Sequence, residues 1–284
     1  LKQAFLNVNG LNIRYLEAGK SPVVNNSSNT DYNSSKVQNV LFIHGLGSSA
    51  DRWLDIPDAL SLSKLHAVAL DLPGFGLSDK PTDLDYTIRE FTKVVASFMR
   101  HAGIAKASIV GHSLGGYIAA YLATEHSNLV DKLVLVDSSG MLDGPTPLLQ
   151  QYLDAATNPS RQTVRAVFEQ LVADPARIPD VLVDGFIYRI NQPGARYAFR
   201  SAFDNSVYTQ IGIEKLKQIG ASKISTMIIW GMKDSLIPMK HLRTFQEAIT
   251  GSQTVIVEDA GHAPFAEKPA IVSEILRQFV CKKG

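Results

Sequence analysis

Ser108-Ile109-Val110-Gly111-His112-Ser113-Leu114-Gly115-Gly116 is the stretch on which the reading of this chain turns. Residues 108–110 form a short apolar run of the kind that makes a buried strand, and a helix is expected from about Leu114 to Glu125. Between them stands G-x-S-x-G. A strand that turns at once into a helix strains the backbone of the serine at the corner. The residues two before and two after it must be small, so that the main chain can pass close by; Gly111 and Gly115 meet that demand. Gly116 lets the helix pack tightly. The serine hydroxyl then stands clear at the carboxyl end of a sheet. The Leu114 amide lies at a helix N-terminus, where unpaired N–H groups favour negative charge. The bland alternative is a tight strand–helix junction carrying an incidental serine, and the rest of the chain decides between the two.

A serine hydroxyl is a poor nucleophile until a base takes its proton. The expected partners follow in the order serine, acid, histidine. Asp234 lies just beyond an apolar run ending at Trp230, and His262 just beyond one ending at Glu258, so both are expected at the same sheet edge as Ser113. His262 is the candidate base and Asp234 the candidate acid that fixes its tautomer. Asp137 competes with Asp234, because it follows the preceding strand at the same edge. Six of the seven histidines need another reading. His112 is expected to pack or hydrogen-bond locally, His44 to hold a loop, and His66, His101, His126 and His241 to be solvated. No pair has metal-ligand spacing, so no metal site is expected. His44-Gly45-Leu46-Gly47 follows the strand at residues 40–43, and its glycines let the Leu46 amide face the serine. The amides of Leu46 and Leu114 are the candidate oxyanion hole.

Outward from this centre, short apolar runs alternate with helical periodicities. Runs at 40–44, 67–70, 108–110 and 133–136 alternate with a helix-like stretch at 50–60, a helix at 86–101 and the helix after Ser113. That pattern indicates a parallel sheet covered on both faces. At the N-terminus, Asn9-Gly10 between apolar runs predicts a type I′ hairpin. Residues 21–36 are rich in Ser and Asn and read as a long surface loop, with Asn-x-Ser sequons at Asn25, Asn26 and Asn33 taken as chance occurrences. After Asp137-Ser138-Ser139-Gly140 the alternation stops. To about Gly220 the pattern is helical only, with one apolar face at Val164, Val167, Phe168, Leu171 and Val172 and another at Val181, Leu182, Phe186 and Ile187. Strand character resumes at 226–230 and 254–258. The division expected is a core of residues 1–139 and 221–284 with a helical cap at 140–220.

The composition sets few further limits. The chain has 284 residues, 45% of them apolar, which suffices for a full core. A net charge of +1 offers no electrostatic reason for a nucleic acid or an anionic membrane partner. No apolar run is long enough to cross a membrane. A single cysteine, Cys281, cannot form an intramolecular disulfide and fits a reducing, cytoplasmic setting. A removed signal peptide would leave no trace in this sequence.

These residues resemble the α/β-hydrolase superfamily along nearly the whole chain. The matching segments are Phe42-Ile43-His44-Gly45, Asp71-Leu72-Pro73-Gly74-Phe75-Gly76-Leu77-Ser78, Val110 to Gly116, Gly231-Met232-Lys233-Asp234 and Ala260-Gly261-His262. The resemblance implies an eight-stranded, mostly parallel sheet, helices on both faces and a helical cap over the active site. The chain is also similar to the subgroup of carbon–carbon hydrolases that act on meta-cleavage products. It departs from that subgroup at His112, where Asn is usual, and at Ala263, where Trp is usual. It departs again at Phe186, where a substrate-binding arginine is usual, although Arg189 is nearby. The departures favour a carboxylesterase without a cofactor, acting on a small ester of short or medium acyl chain, with Met141, Leu142, Phe168, Leu171 and Phe186 as candidates for lining the acyl site. The alternatives are carbon–carbon hydrolysis of a diketone acid, a non-catalytic ligand receptor on the same fold, and a lipase.

Overall fold

The computed structural model describes residues 1–19, 37–56 and 65–282. The Ser- and Asn-rich stretch with its sequons, and the end of the helix expected at 50–60, lie outside the described residues. Of that helix, Ala50–Trp53 forms a 3-10 turn.

Eight strands form one sheet: β1 (Lys2–Val8), β2 (Leu11–Ala18), β3 (Gln38–Ile43), β4 (Leu65–Leu70), β5 (Ala107–His112), β6 (Val130–Val136), β7 (Ser225–Gly231) and β8 (Gln253–Val257). Their spatial order is β1-β2-β4-β3-β5-β6-β7-β8. β2 runs antiparallel to both its neighbours, and every pairing from β4 to β8 is parallel. The predicted hairpin joins β1 to β2, with Asn9 at φ 53° and Gly10 at φ 92°, the two positive values that a type I′ turn requires.

Strands β3 to β7 are buried along nearly their whole length because both faces are covered, whereas the edge strands β1 and β8 are partly exposed. Along β3, Leu41 and Ile43 point to one face with Val68, Leu70, Ile109, Leu133, Leu135 and Ile228. Val40 and Phe42 point to the other with Ala67, Ala69, Val110, Val134, Val136 and Ile229. Alternation along a strand sends neighbours to opposite sides, so a strand covered twice shows no polar–apolar rhythm. Helices α1 (Ile88–His101) and α2 (Leu114–Glu125) supply the first face, where Phe91, Val95, Phe98, Ile118 and Leu122 are buried. Thr87 caps α1 by accepting from the Glu90 amide.

Between β6 and β7 lie five helices: α3 (Pro147–Thr157), α4 (Arg161–Leu171), α5 (Asp180–Ile190), α6 (Ala195–Val207) and α7 (Ile213–Ala221). The α4 face is as expected, with Val164, Val167 and Phe168 buried. The α5 face departs from the expectation at Val181, which is 76% exposed. Phe186 is buried as expected, Leu182 and Ile187 pack partly buried against the core, and Val183 and Ile190 complete an i, i+3, i+7 stripe with Phe186. The chain closes with α8 (Lys240–Ala248), α9 (Pro264–Glu267) and α10 (Pro269–Cys281), the last packing Val272, Leu276, Phe279 and Val280 on the second face. Among the described residues no helix is long and apolar enough to cross a membrane.

Candidate active site

Ser113, Asp137, Asp234 and His262 all follow the carboxyl ends of strands β5, β6, β7 and β8, so the parallel sheet gathers them at one edge. Ser113 sits at φ 53° and ψ −118°, a backbone conformation that non-glycine residues rarely adopt. The glycines around it are there because nothing larger fits. A Cβ on Gly111 would stand 2.2 Å from the Gly115 carbonyl oxygen, and one on Gly115 would stand 2.2 Å from that of Ile43. On Gly116 it would meet the Ser138 hydroxyl at 2.5 Å. The elbow is thus wedged against the end of β3 and the start of the segment after β6, and the packing holds the serine in its strained conformation.

His262 Nδ1 lies 2.8 Å from Asp234 Oδ2, and both residues are buried. The other Asp234 oxygen accepts from the Leu236 and Ile237 amides at 2.8 and 2.9 Å. The histidine is held from its backbone as well. Its amide donates to the Leu171 carbonyl at 2.7 Å, at the end of α4, and its carbonyl accepts from His112 Nε2 at 2.6 Å. Because a carbonyl can only accept, the His112 proton is on Nε2. Burial, and next the neighbouring His262, push the His112 imidazole well below its ordinary value, so it serves as a neutral donor. Glu267 braces the same loop, one oxygen accepting from the Gly261 amide at 2.8 Å and the other from the Ala173 amide at 2.7 Å.

Leu46 and Leu114 line one cavity with Ser113 and His262. Leu114 opens α2, where the first amides have no acceptor within the helix. The Leu46 turn is anchored from two sides. Tyr152 on α3 donates its hydroxyl to the Leu46 carbonyl at 3.1 Å. His44 bridges from below: its Nε2 accepts from the Leu72 amide at 3.0 Å and its Nδ1 donates to the Gly45 carbonyl at 2.8 Å. Burial lowers the His44 value, in keeping with a neutral ring that both accepts and donates.

The cavity measures about 640 Å³, within the range of small-molecule sites. Its walls include Leu142, Leu149, Phe168, Leu171, Phe186 and Ile237. Four of the five residues expected to line it do so; Met141 does not, because its side chain packs against the apolar core and leaves Leu142 to face the cavity. Two histidines expected in solvent are also buried. His66 is held in the sheet between Asn39 of β3 and Glu17 of β2, and His241 lies in the first turn of α8 against the backbone of Met141.

Sequence reasoning missed several residues here. Arg52 and Arg189 reach the cavity walls, and among the described residues neither side chain has a hydrogen-bond or ion-pair partner; Arg189 Nε is buried and unpartnered. Of the two, Arg189 is marked in the sequence only by lying near the position where the similar subgroup carries a substrate-binding arginine. Glu267 and Tyr152 are unmarked: neither sits in a motif, and their contacts with Ala173 and Leu46 cross long sequence separations. Among the described residues, Asp137, Asp234 and His262 form the one cluster with metal-site donor types, their atoms within 4.8 Å of one another. Asp234 is already occupied by two backbone amides and the imidazole, so no metal is assigned to the group.

A doubly covered parallel sheet, a strained serine at a strand–helix corner and a buried histidine–carboxylate pair at the same edge define a hydrolase of the α/β type. The chain belongs to the alpha/beta hydrolase fold family, whose model matches residues 38–269. Relatives include the dihydrolipoyllysine-residue acetyltransferase component of an acetoin cleaving system from Cupriavidus necator, 29% identical over 96% of this chain and 68% of that protein. Lipase 3 of a Moraxella species is 29% identical over 80% of this chain and 72% of its own length. The hydrolase YugF of Bacillus subtilis is 27% identical, covering 88% and 92%. Among solved structures, the meta-cleavage product hydrolase CumD of Pseudomonas fluorescens superposes with a TM-score of 0.83 at 24% identity, over 97% of this chain and 96% of that one. At that identity the likeness is one of fold.

Proposed function

We propose that the chain is a serine hydrolase that cleaves carboxylic esters of short to medium acyl chains through an acyl-enzyme on Ser113. The observation that carries this reading is the strained Ser113 sharing a cavity with His262, whose Nδ1 is tied to Asp234 at 2.8 Å. Ser113 Oγ attacks the ester carbonyl while His262 takes its proton, and Asp234 stabilises the imidazolium that forms. The amides of Leu46 and Leu114 receive the oxyanion. His262 then protonates the leaving alcohol, and water releases the acid by the same route. Residues 140–220 act as a cap over a mostly apolar acyl site, to which Leu142, Phe168, Leu171 and Phe186 contribute. The lipase named among the relatives supports ester chemistry.

The test is covalent labelling with an organophosphonate probe, followed by turnover of a p-nitrophenyl ester series of rising chain length. Ser113→Ala abolishes labelling and turnover; labelling that persists on another residue refutes the assignment. Asp234→Asn lowers kcat by up to ~10⁴-fold.

Arg52 and Arg189 favour a second reading, hydrolysis of a carbon–carbon bond in a diketone acid. Two cavity-facing guanidiniums without a hydrogen-bond or ion-pair partner among the described residues, with Glu267 near Arg52 and Asp51 near Arg189, are suited to an anionic substrate group. Assaying p-nitrophenyl butyrate beside a meta-cleavage dienoate separates the two. Turnover of the dienoate alone removes the esterase reading.

A further inference from the structure

Behind the histidine lies a second carboxyl group that this reaction scheme does not use. Asp137 is fully buried at the end of β6, and its backbone is strained, with φ at 43°. Besides Ser113 and the hairpin residue Asn9, it is the remaining non-glycine residue at positive φ among the described residues. Strain of this kind persists where surrounding packing holds it, and it gathers at functional sites. Its Oδ1 accepts from the Gly231 amide at 2.8 Å, whereas Oδ2 is buried with no donor facing it. An Asp137 oxygen, an Asp234 oxygen and a His262 ring nitrogen lie within 4.8 Å of one another.

Two buried carboxylates this close cannot both be charged, so the pair retains a proton. The donors decide where the charge sits. Three N–H groups face the oxygens of Asp234, and one faces those of Asp137. The negative charge therefore belongs to Asp234 and the proton to the orphan oxygen of Asp137. Protonation turns that oxygen from an unpaired acceptor into a donor, and Asp234 is the carboxylate within its reach.

We propose that Asp137 is a positioning residue: a neutral carboxylic acid whose O–H donates to Asp234, so that the pair carries one negative charge, aimed at His262. This rests on the reading of Asp234 as the partner of His262. The charged or titratable groups around Asp137 are Asp234, His262 and, farther off, Glu267. Burial first, and then the Asp234 charge, raise the Asp137 carboxyl well above the usual carboxylate range, in agreement with the donor count. A donor aimed at Asp234 keeps the carboxylate from rotating away from His262.

The experiment compares Asp137→Ala, Asp137→Asn and Asp234→Asn in kcat, KM and the infrared carbonyl region at neutral pH. Wild type shows the C=O stretch of a neutral carboxylic acid, and Asp137→Asn removes it. Asp137→Ala lowers kcat ~10–10²-fold with little change in KM, the usual range for a hydrogen bond to a charged group. Asp137→Asn, which keeps an N–H donor and a carbonyl acceptor, restores most of that loss. Absence of the neutral-acid band overturns the proposal even if Asp137→Ala does not fold. So does an Asn variant as slow as the Ala variant, or an Ala variant with wild-type kcat and only a lower melting temperature. If Asp137→Asn falls ~10⁴-fold while Asp234→Asn retains turnover, the assignment of Asp234 fails instead.

Discussion

Replacing Gly115 by Ala isolates the close approach that holds the elbow. The added Cβ would stand 2.2 Å from the Ile43 carbonyl oxygen and 2.7 Å from that of His44. A carbon and a carbonyl oxygen in comfortable contact are ~3.3–3.6 Å apart, so the end of β3 and the start of α2 must separate by about 1 Å. Both sides of the clash are backbone, so no side chain can swing away to relieve it. Overpacking of this kind costs about 1–3 kcal/mol. With an unfolding entropy of ~2.1 cal/mol/K per residue, each kcal/mol shifts Tm by roughly 2 °C in a chain of this length, which gives a fall of roughly 2–6 °C. Activity suffers more, because the shift moves the Leu114 amide and Ser113 relative to the Leu46 turn. A displacement of about 1 Å at reacting groups can cost ~10²-fold. The assay is calorimetric melting together with kcat on a p-nitrophenyl ester and the rate of organophosphonate labelling. Gly251→Ala is the control: it has φ 81° with nothing within 4 Å of the added Cβ, in a turn between α8 and β8. It costs about 1 kcal/mol for the left-handed conformation and leaves kcat as it was. A Gly115→Ala enzyme with the wild-type Tm and kcat would refute the wedge.

Arg14→Met tests the buried charge network beneath the Leu46 turn. Arg14 holds both oxygens of Asp51 at 2.8 Å and approaches the fully buried Asp71 at 3.3 Å, and Asp71 in turn accepts from the Ala50 and Leu77 amides. Leaving Asp71 without its cation is expected to cost about 3 kcal/mol, and a melting temperature within 2 °C of wild type would contradict it. A pH series tests the buried histidines. Burial lowers the values of His44, His66, His112 and His241 in the folded protein. The unfolded chain therefore binds protons first as pH falls below about 6.5. Stability is full above that pH and declines below it, through the lowered folded values. Melting temperatures that stay level from pH 7 to pH 5 would contradict this.

The parts of this protein legible in its sequence are those dictated by local sterics and by covering both faces of a sheet. Gly111 and Gly115 announce a serine at a strand–helix corner because no other residue fits there, and uninterrupted runs such as 40–43 and 133–136 announce strands covered twice. Once the strands are parallel, residues that follow them share an edge, so Ser113, Asp234 and His262 could be grouped from chain order alone. Tertiary structure decided what lies between distant segments. Val181 fits a helical stripe but is largely exposed, because α5 packs on the neighbouring stripe of Val183, Phe186 and Ile190, which shares Phe186 with the expected one. His66 and His241 look like surface residues, yet they are enclosed by neighbours remote in sequence. Asp137 read in sequence as a rival to Asp234. In the fold it stands beside Asp234, and the two share one buried site, since a carboxyl's role depends on how many donors face it and how much water is excluded. The same holds for the cavity: its guanidiniums, its tyrosine and its apolar wall come from segments whose spacing carries no signal, and only their packing makes them one site.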